Sequence, residues 1–222
     1  MDHLAPRIIS FGCSITNYIY PTYADILQAD NRGQSGSGNE RIFYTVLDAF
    51  KNKELENYDI IIVQWSSQYR FDYLTNNDWT FPDGNITQSI HNKHIWKKIK
   101  EWYNFDYEDE KTENYALTLW YTLKTLNKKI VYLSYSGIVT QHFPILINNI
   151  WKAHKGDYEF TSGMDWDEKR FIDDHPTIRQ HYQMSNYIAH RCDIKLNPIV
   201  VKKAFDIENQ IRSDKKFIER KL

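Results

Sequence analysis

Ile8-Ile9-Ser10-Phe11-Gly12-Cys13-Ser14-Ile15-Thr16 is the stretch on which the reading of this chain turns. Ile8 to Phe11 are mostly apolar with no helical period, which reads as a short buried strand. Gly12 lets the backbone turn tightly, and Ser14 follows just past the turn. Tyr18, Tyr23, Ile26 and Leu27 then suggest a helix. The exit of a buried strand into a helix start is where an α/β sheet presents chemistry. The N–H groups of a helix start also favour an anion there. Read alone, Ser14 fits a helix cap equally well.

The segments that follow repeat the alternation. Ala29 to Gly33 reads as a short second strand, and Gln34-Ser35-Gly36-Ser37-Gly38-Asn39 as a loop whose glycines admit a ligand close to the backbone. Ile42, Phe43, Val46, Leu47 and Phe50 recur at helical spacing. Tyr58 to Trp65 holds an unbroken apolar run, as expected for a strand buried on both faces of a parallel sheet. Residues 73–109 read as an insertion over the sheet edge, with a helix expected over 95–103. Thr112 to Leu126 predicts a helix, Lys129 to Tyr135 a strand and Phe143 to Trp151 a helix. Tyr158-Glu159-Phe160 is a candidate fifth strand, and Pro176 suits the first turn of a helix continuing from Ile178 to His190. The tail, 198–222, reads as an amphipathic helix that packs on the body or joins two copies as a homo-oligomer. Such alternation builds a parallel sheet covered on both faces, within one domain spanning 1–222.

The totals narrow the function classes. A net charge of −1 gives no electrostatic case for nucleic acid or an acidic membrane. Two cysteines, Cys13 and Cys192, make no disulfide framework and fit a reducing compartment. No signal peptide is evident and no apolar run reaches membrane-spanning length, so a cytoplasmic or otherwise soluble protein is expected. The 16 Tyr and 7 Trp suit flat polar ligands, with Trp65, Trp79, Trp96 and Trp102 as a candidate sugar wall, although packing is the default for such rings. His91 and His94 would share a helical face but lack a third ligand, so no metal or other cofactor is expected. The run from Asp106 to Glu110 reads as a solvated face.

Three loops, holding Ser14, Gly36 and Ser66, should converge on the carboxyl edge, with Asp173 and His175 joining from far along the chain. A serine hydroxyl needs a base to take its proton, histidine suits that role near neutral pH, and a carboxylate fixes the imidazole tautomer. Ser14, His175 and Asp173 could supply these parts, and the N–H groups of Ser14 and Gly36 could receive an oxyanion. Arg70 follows the third loop and could pair with Asp72 or with an anionic substrate.

Gly12-Cys13-Ser14, then Asn31 to Gly36, then Asp173-Asp174-His175-Pro176 resemble, in order and wide separation, the blocks of the SGNH (GDSL-like) hydrolase family over roughly residues 7–190. The resemblance implies a three-layer α/β/α sandwich with a five-stranded parallel sheet in flavodoxin-like order. It implies ester hydrolysis through a serine acyl-enzyme without a metal. By matching position Ser14 is nucleophile and oxyanion donor, Gly36 a second donor, His175 the base and Asp173 its orienting partner. Cys13 stands where the family usually has Asp, and Asp173-Asp174-His175 is one residue shorter than the commoner spacing. The third block lacks its Asn: the strand ends Gln64-Trp65-Ser66-Ser67, which leaves Ser66, Ser67 or Asn39 as substitute donors. The expected activity is removal of acyl groups such as acetyl from a carbohydrate. The alternatives are a lipase or thioesterase of small acyl esters, or a silent relative that binds a glycan or protein.

Overall fold

The computed structural model describes residues 5–67, 70, 72–75, 78–80, 104–135, 137, 146–148, 150 and 175–213. Within them the chain is an α/β protein built on a parallel sheet of four strands. β1 (Ile8–Phe11), β2 (Asp30–Asn31) and β3 (Ile60–Trp65) belong to it, and a small antiparallel hairpin, β4 (Tyr73–Thr75) with β5 (Asp78–Thr80), stands apart. β6 (Lys129–Ser134) completes the main sheet, whose order is β2-β1-β3-β6. β1 lies parallel to β3 with Ile8 opposite Ile60 and Phe11 opposite Val63; β3 pairs with β6 from Ile60–Lys129 to Trp65–Ser134.

The apolar run of β3 is divided by the pleat. Ile60 and Ile62 join Ile8, Val131 and Leu133 on one face, while Ile61, Val63 and Trp65 join Ile9, Phe11 and Tyr132 on the other. Each face has its own helices. The first packs on α1 (Tyr23–Ile26) and α4 (Ile178–Cys192), through Tyr23, Ala24, Met184 and Ile188. The second packs on α2 (Asn39–Lys51) and α3 (Phe105–Lys124), through Ile42, Val46, Ala116 and Leu119. Burying each such side chain is worth about 1.5–3 kcal/mol, which explains why β3 carries no polar alternation. α5 (Pro198–Ser213) folds back on the body, where Ala204 and Ile211 meet Tyr20, Ile26 and Ile178.

Several expectations shift. The helix after β1 is a single turn, Tyr23–Ile26; Tyr18 and Tyr20 lie in the preceding loop. α3 begins at Phe105 rather than Thr112, because the Asn104 side chain accepts from the N–H groups of Asp106 and Tyr107 and acidic residues suit a first turn. The expected helix over Phe143 to Trp151 is interrupted: Ile147 bridges Leu133 in parallel, its C=O accepting from Ser134 N–H at 2.8 Å. Thr177, not Pro176, opens α4, its hydroxyl accepting from Gln180 N–H at 3.2 Å while Gln180 Oε1 accepts from Thr177 N–H at 2.7 Å. The candidate strand Tyr158–Phe160 and the expected helix over 95–103 lie outside the described residues. Among the described residues no helix is long and apolar enough to cross a membrane.

Candidate active site

Because the four strands run parallel, the ends of β1, β2 and β3 open on one edge. Ser14 stands there in a one-turn bend in which Cys13 C=O accepts from Thr16 N–H (2.9 Å) and Asn17 N–H (3.0 Å). It does not cap α1, whose N-cap is Thr22. The bend is fastened from below. Gln64 Oε1 accepts from Cys13 N–H (3.1 Å), Cys13 Sγ–H (3.1 Å) and Thr16 Oγ1–H (3.3 Å), while Gln64 Nε2 donates to Trp65 C=O (2.5 Å). Gly12 is required here: a Cβ would lie 2.2 Å from Thr16 Oγ1 and 2.7 Å from Gln64 Oε1. Tyr23 adds a second fastening through Ser10 Oγ (3.0 Å) and Thr16 Oγ1 (2.8 Å), and burial pushes its pKa upward, so it stays a neutral hydroxyl.

The second loop is sewn to the first. Gln34 N–H donates to Gly12 C=O at 2.9 Å and Asn17 Nδ2 to Gly33 C=O at 2.9 Å. Gln34 to Ser37 form a turn closed at 3.1 Å, with Gly36 in the left-handed region at φ 87°.

His175 comes from 161 residues away, and its Nε2 lies 2.7 Å from Ser14 Oγ. Its ring stacks on Tyr18 (centroids 4.1 Å, planes 15° apart), Tyr18 meets Tyr20 edge-on, and Tyr20 O–H donates to Pro176 C=O at 2.9 Å. An aromatic ledge on the first loop thus sets the height of the imidazole. Asp173, its expected partner, and Asp174 lie outside the described residues, as do His91 and His94. Among the described residues no cluster of metal-ligating side chains occurs.

Arg70 Nη2 donates to Ser14 Oγ at 3.0 Å. The pairing of Arg70 with Asp72 weighed from the sequence is not formed. Asp72 caps α2 instead, accepting from Gly38 N–H at 2.7 Å and Arg41 N–H at 2.9 Å, where a helix start favours a carboxylate. Burial nonetheless outweighs those two bonds and lifts the pKa of Asp72 above the ordinary carboxylate range.

The substitute donors fare differently. Both amide hydrogens of Asn39 are engaged, by Ser66 C=O (3.3 Å) and Thr112 Oγ1 (2.9 Å), and its Oδ1 accepts from Ser66 N–H (2.7 Å). Asn39 therefore ties the second loop to the third and has no N–H left for an oxyanion. Ser66 and Ser67 are both buried, and the Ser66 hydroxyl has no partner among the described residues. Trp65, weighed as part of a sugar wall, is 0% exposed and packs edge-on against Tyr132, because the pleat turns it into the core. The side chain of Trp79 and all of Trp96 and Trp102 lie outside the described side chains.

Gln64, Tyr18 and Tyr20 were not legible as site residues. Gln64 did carry a signal: a lone amide in an apolar strand is buried, and a buried amide must be paired. The fold and the site define an α/β protein with a serine, a histidine and an arginine meeting at the carboxyl edge of a parallel sheet. Neither a protein-family model nor a curated protein matches the chain.

Proposed function

We propose that this chain is a serine esterase of the SGNH type, a soluble single-domain α/β/α sandwich that hydrolyses acyl esters, acetyl among them, on a carbohydrate or similar polar alcohol. The observation that carries the reading is the 2.7 Å approach of His175 Nε2 to Ser14 Oγ. Hydrogen-bond reach between nucleophile and base is the geometric requirement for activating a serine. The parallel bridge at Ile147, on the free side of β6, supports a fifth strand position, and the order β2-β1-β3-β6 agrees with the flavodoxin-like arrangement.

In this reading Ser14 Oγ attacks the ester carbonyl as its proton passes to His175 Nε2. The carbonyl π pair moves onto oxygen. The tetrahedral intermediate then re-forms C=O and expels the alcohol oxygen, which takes the proton from the imidazolium. Water, deprotonated by the same imidazole, attacks the acyl-enzyme and releases the carboxylic acid, and Ser14 recovers its proton. A second reading, a silent relative that only binds an ester or glycan, is favoured by the engagement of both Asn39 amide hydrogens. Hydrolysis of p-nitrophenyl acetate, compared with Ser14→Ala, separates the two. The esterase reading expects turnover lost in the variant and Ser14 labelled by a fluorophosphonate. Equal rates in both proteins, with no label on folded protein, refute it.

A further inference from the structure

We propose that the Arg70 guanidinium is the charged oxyanion donor of this site, in the place that a side-chain amide would otherwise fill; this rests on the esterase reading above. Four observations carry it. Arg70 leaves the end of β3, its N–H donating to Ser67 C=O at 3.1 Å, so its side chain starts from the loop that should complete the site. Its Nη2 touches the nucleophile, 3.0 Å from Ser14 Oγ. Its Nη1 is buried and has no hydrogen-bond partner among the described residues. Asp72, the nearby carboxylate in sequence, is committed to the start of α2.

The geometry of the fork does the rest. Guanidinium is an obligate donor with its N–H groups in a fixed plane. Ser14 Oγ must therefore accept from Nη2, which leaves its own proton for His175 Nε2. When Oγ bonds to the carbonyl carbon, the oxyanion forms on that same carbon, beside Oγ. Nη1 sits beside Nη2 on the same guanidinium carbon, so the fork that steadies the nucleophile has a second nitrogen to offer the new negative charge. Such a charge-assisted bond is stronger than an amide N–H would give. It also strengthens as charge develops, which is the condition for lowering the barrier rather than merely binding substrate.

The test uses the full chain with Arg70→Ala and Arg70→Lys, each checked for the wild-type circular dichroism spectrum. The readouts are p-nitrophenyl acetate turnover, the second-order rate of fluorophosphonate labelling at Ser14, and inhibition by phenylboronic acid, which becomes a tetrahedral anion on Oγ. Arg70→Ala is expected to lose about 10²–10³ in kcat with KM nearly unchanged. Labelling should slow and boronate affinity weaken by a similar factor. Arg70→Lys should recover part of the loss, and methylguanidinium in solution should rescue Arg70→Ala but not Ser14→Ala. Wild-type kcat in folded Arg70→Ala, or a loss confined to KM with boronate affinity intact, overturns the assignment and leaves the esterase standing. Absence of Ser14-dependent turnover and of labelling in the wild type removes both.

Discussion

Replacing Gln64 by leucine tests how the nucleophile is held. Gln64 is 0% exposed, and the change keeps the side chain's bulk while deleting its amide. Three contacts to Oε1 vanish, but they do not weigh equally. Thr16 Oγ1 keeps its bond to Tyr23 at 2.8 Å, and Trp65 C=O, which loses Gln64 Nε2, still accepts from Tyr135 N–H at 2.9 Å. The Cys13 thiol is a weak donor. The Cys13 N–H is the group left orphaned in the interior, at a cost of about 1–3 kcal/mol. At about 2–4 °C per kcal/mol for a chain of this size, the melting temperature should fall by about 2–12 °C.

Activity should fall further than stability does. Cys13 is bonded directly to Ser14, and a misplacement of about 1 Å can cost about 10²-fold in rate. Thermal melting and the fluorophosphonate labelling rate, measured side by side at a temperature where both proteins are folded, give the two numbers. Gln64→Glu is the complement. A carboxylate in that place would set an oxygen against Trp65 C=O unless protonated, so its folded pKa should rise above the unfolded value. Its stability should therefore be greatest below pH about 4 and drop as pH rises through the folded value. Wild-type melting and labelling in Gln64→Leu would refute the claim that this amide positions the nucleophile.

Gly12→Ala should abolish labelling and destabilise by about 1–3 kcal/mol or more, since the new methyl overlaps Thr16 and Gln64; urea titration reads it. Tyr20→Phe frees Pro176 C=O and should slow turnover while lowering stability by about 1 kcal/mol, with little change in KM. For Asp72, burial raises the folded pKa above the unfolded one. Its contribution is thus largest below pH about 4 and is lost as pH rises through the folded value. The unfolding free energy of wild type minus that of Asp72→Asn should fall as pH rises from about 4 through the folded value; a rise would contradict the sign. Glu208, 0% exposed, holds Arg212 Nη2 at 2.6 Å and Arg179 N–H at 2.8 Å, joining α4 to α5. Glu208 also pairs with Arg179 Nε at 3.4 Å; because both guanidinium groups reach water, Glu208→Ala should cost about 1–2 kcal/mol by chemical denaturation and leave Ser14 labelling at its wild-type rate.

What the sequence showed well was whatever a period or a run encodes. β1, β3 and β6 were legible because strands with both faces covered are mostly apolar, and α2 because its buried residues repeat at helical spacing. The approach of His175 to Ser14 followed from block order, since parallel strands send their exits to one edge. What failed were features decided by single polar contacts. The start of α3 hangs on the Asn104 cap, the length of α1 on how the loop of Thr16 and Thr22 is stitched, and the partners of Arg70 and Asn39 on tertiary position alone. Asn39 was read as a substitute oxyanion donor because the third block lacks its Asn; its amide instead holds two loops together.

That stitching explains how a site assembled from distant segments keeps a short contact. Ser14 is tied through Cys13 and Thr16 to Gln64 and Tyr23, and those two are core residues of the sheet and of α1. His175 is tied through Tyr18 and Tyr20 to the same first loop. Thr22 Oγ1 and Asn31 Nδ2 both close on Thr16 C=O, at 2.6 and 2.8 Å, so the second loop shares that anchor. Nucleophile and base therefore share the first loop as a common support for the 2.7 Å contact. Among the described residues the Arg70 guanidinium hydrogen-bonds to Ser14 through Nη2, while Nη1 has no hydrogen-bond partner there. The bond that the arginine offers strengthens as charge grows on the oxyanion, with no movement of the guanidinium required, and so it favours the transition state over the bound ester.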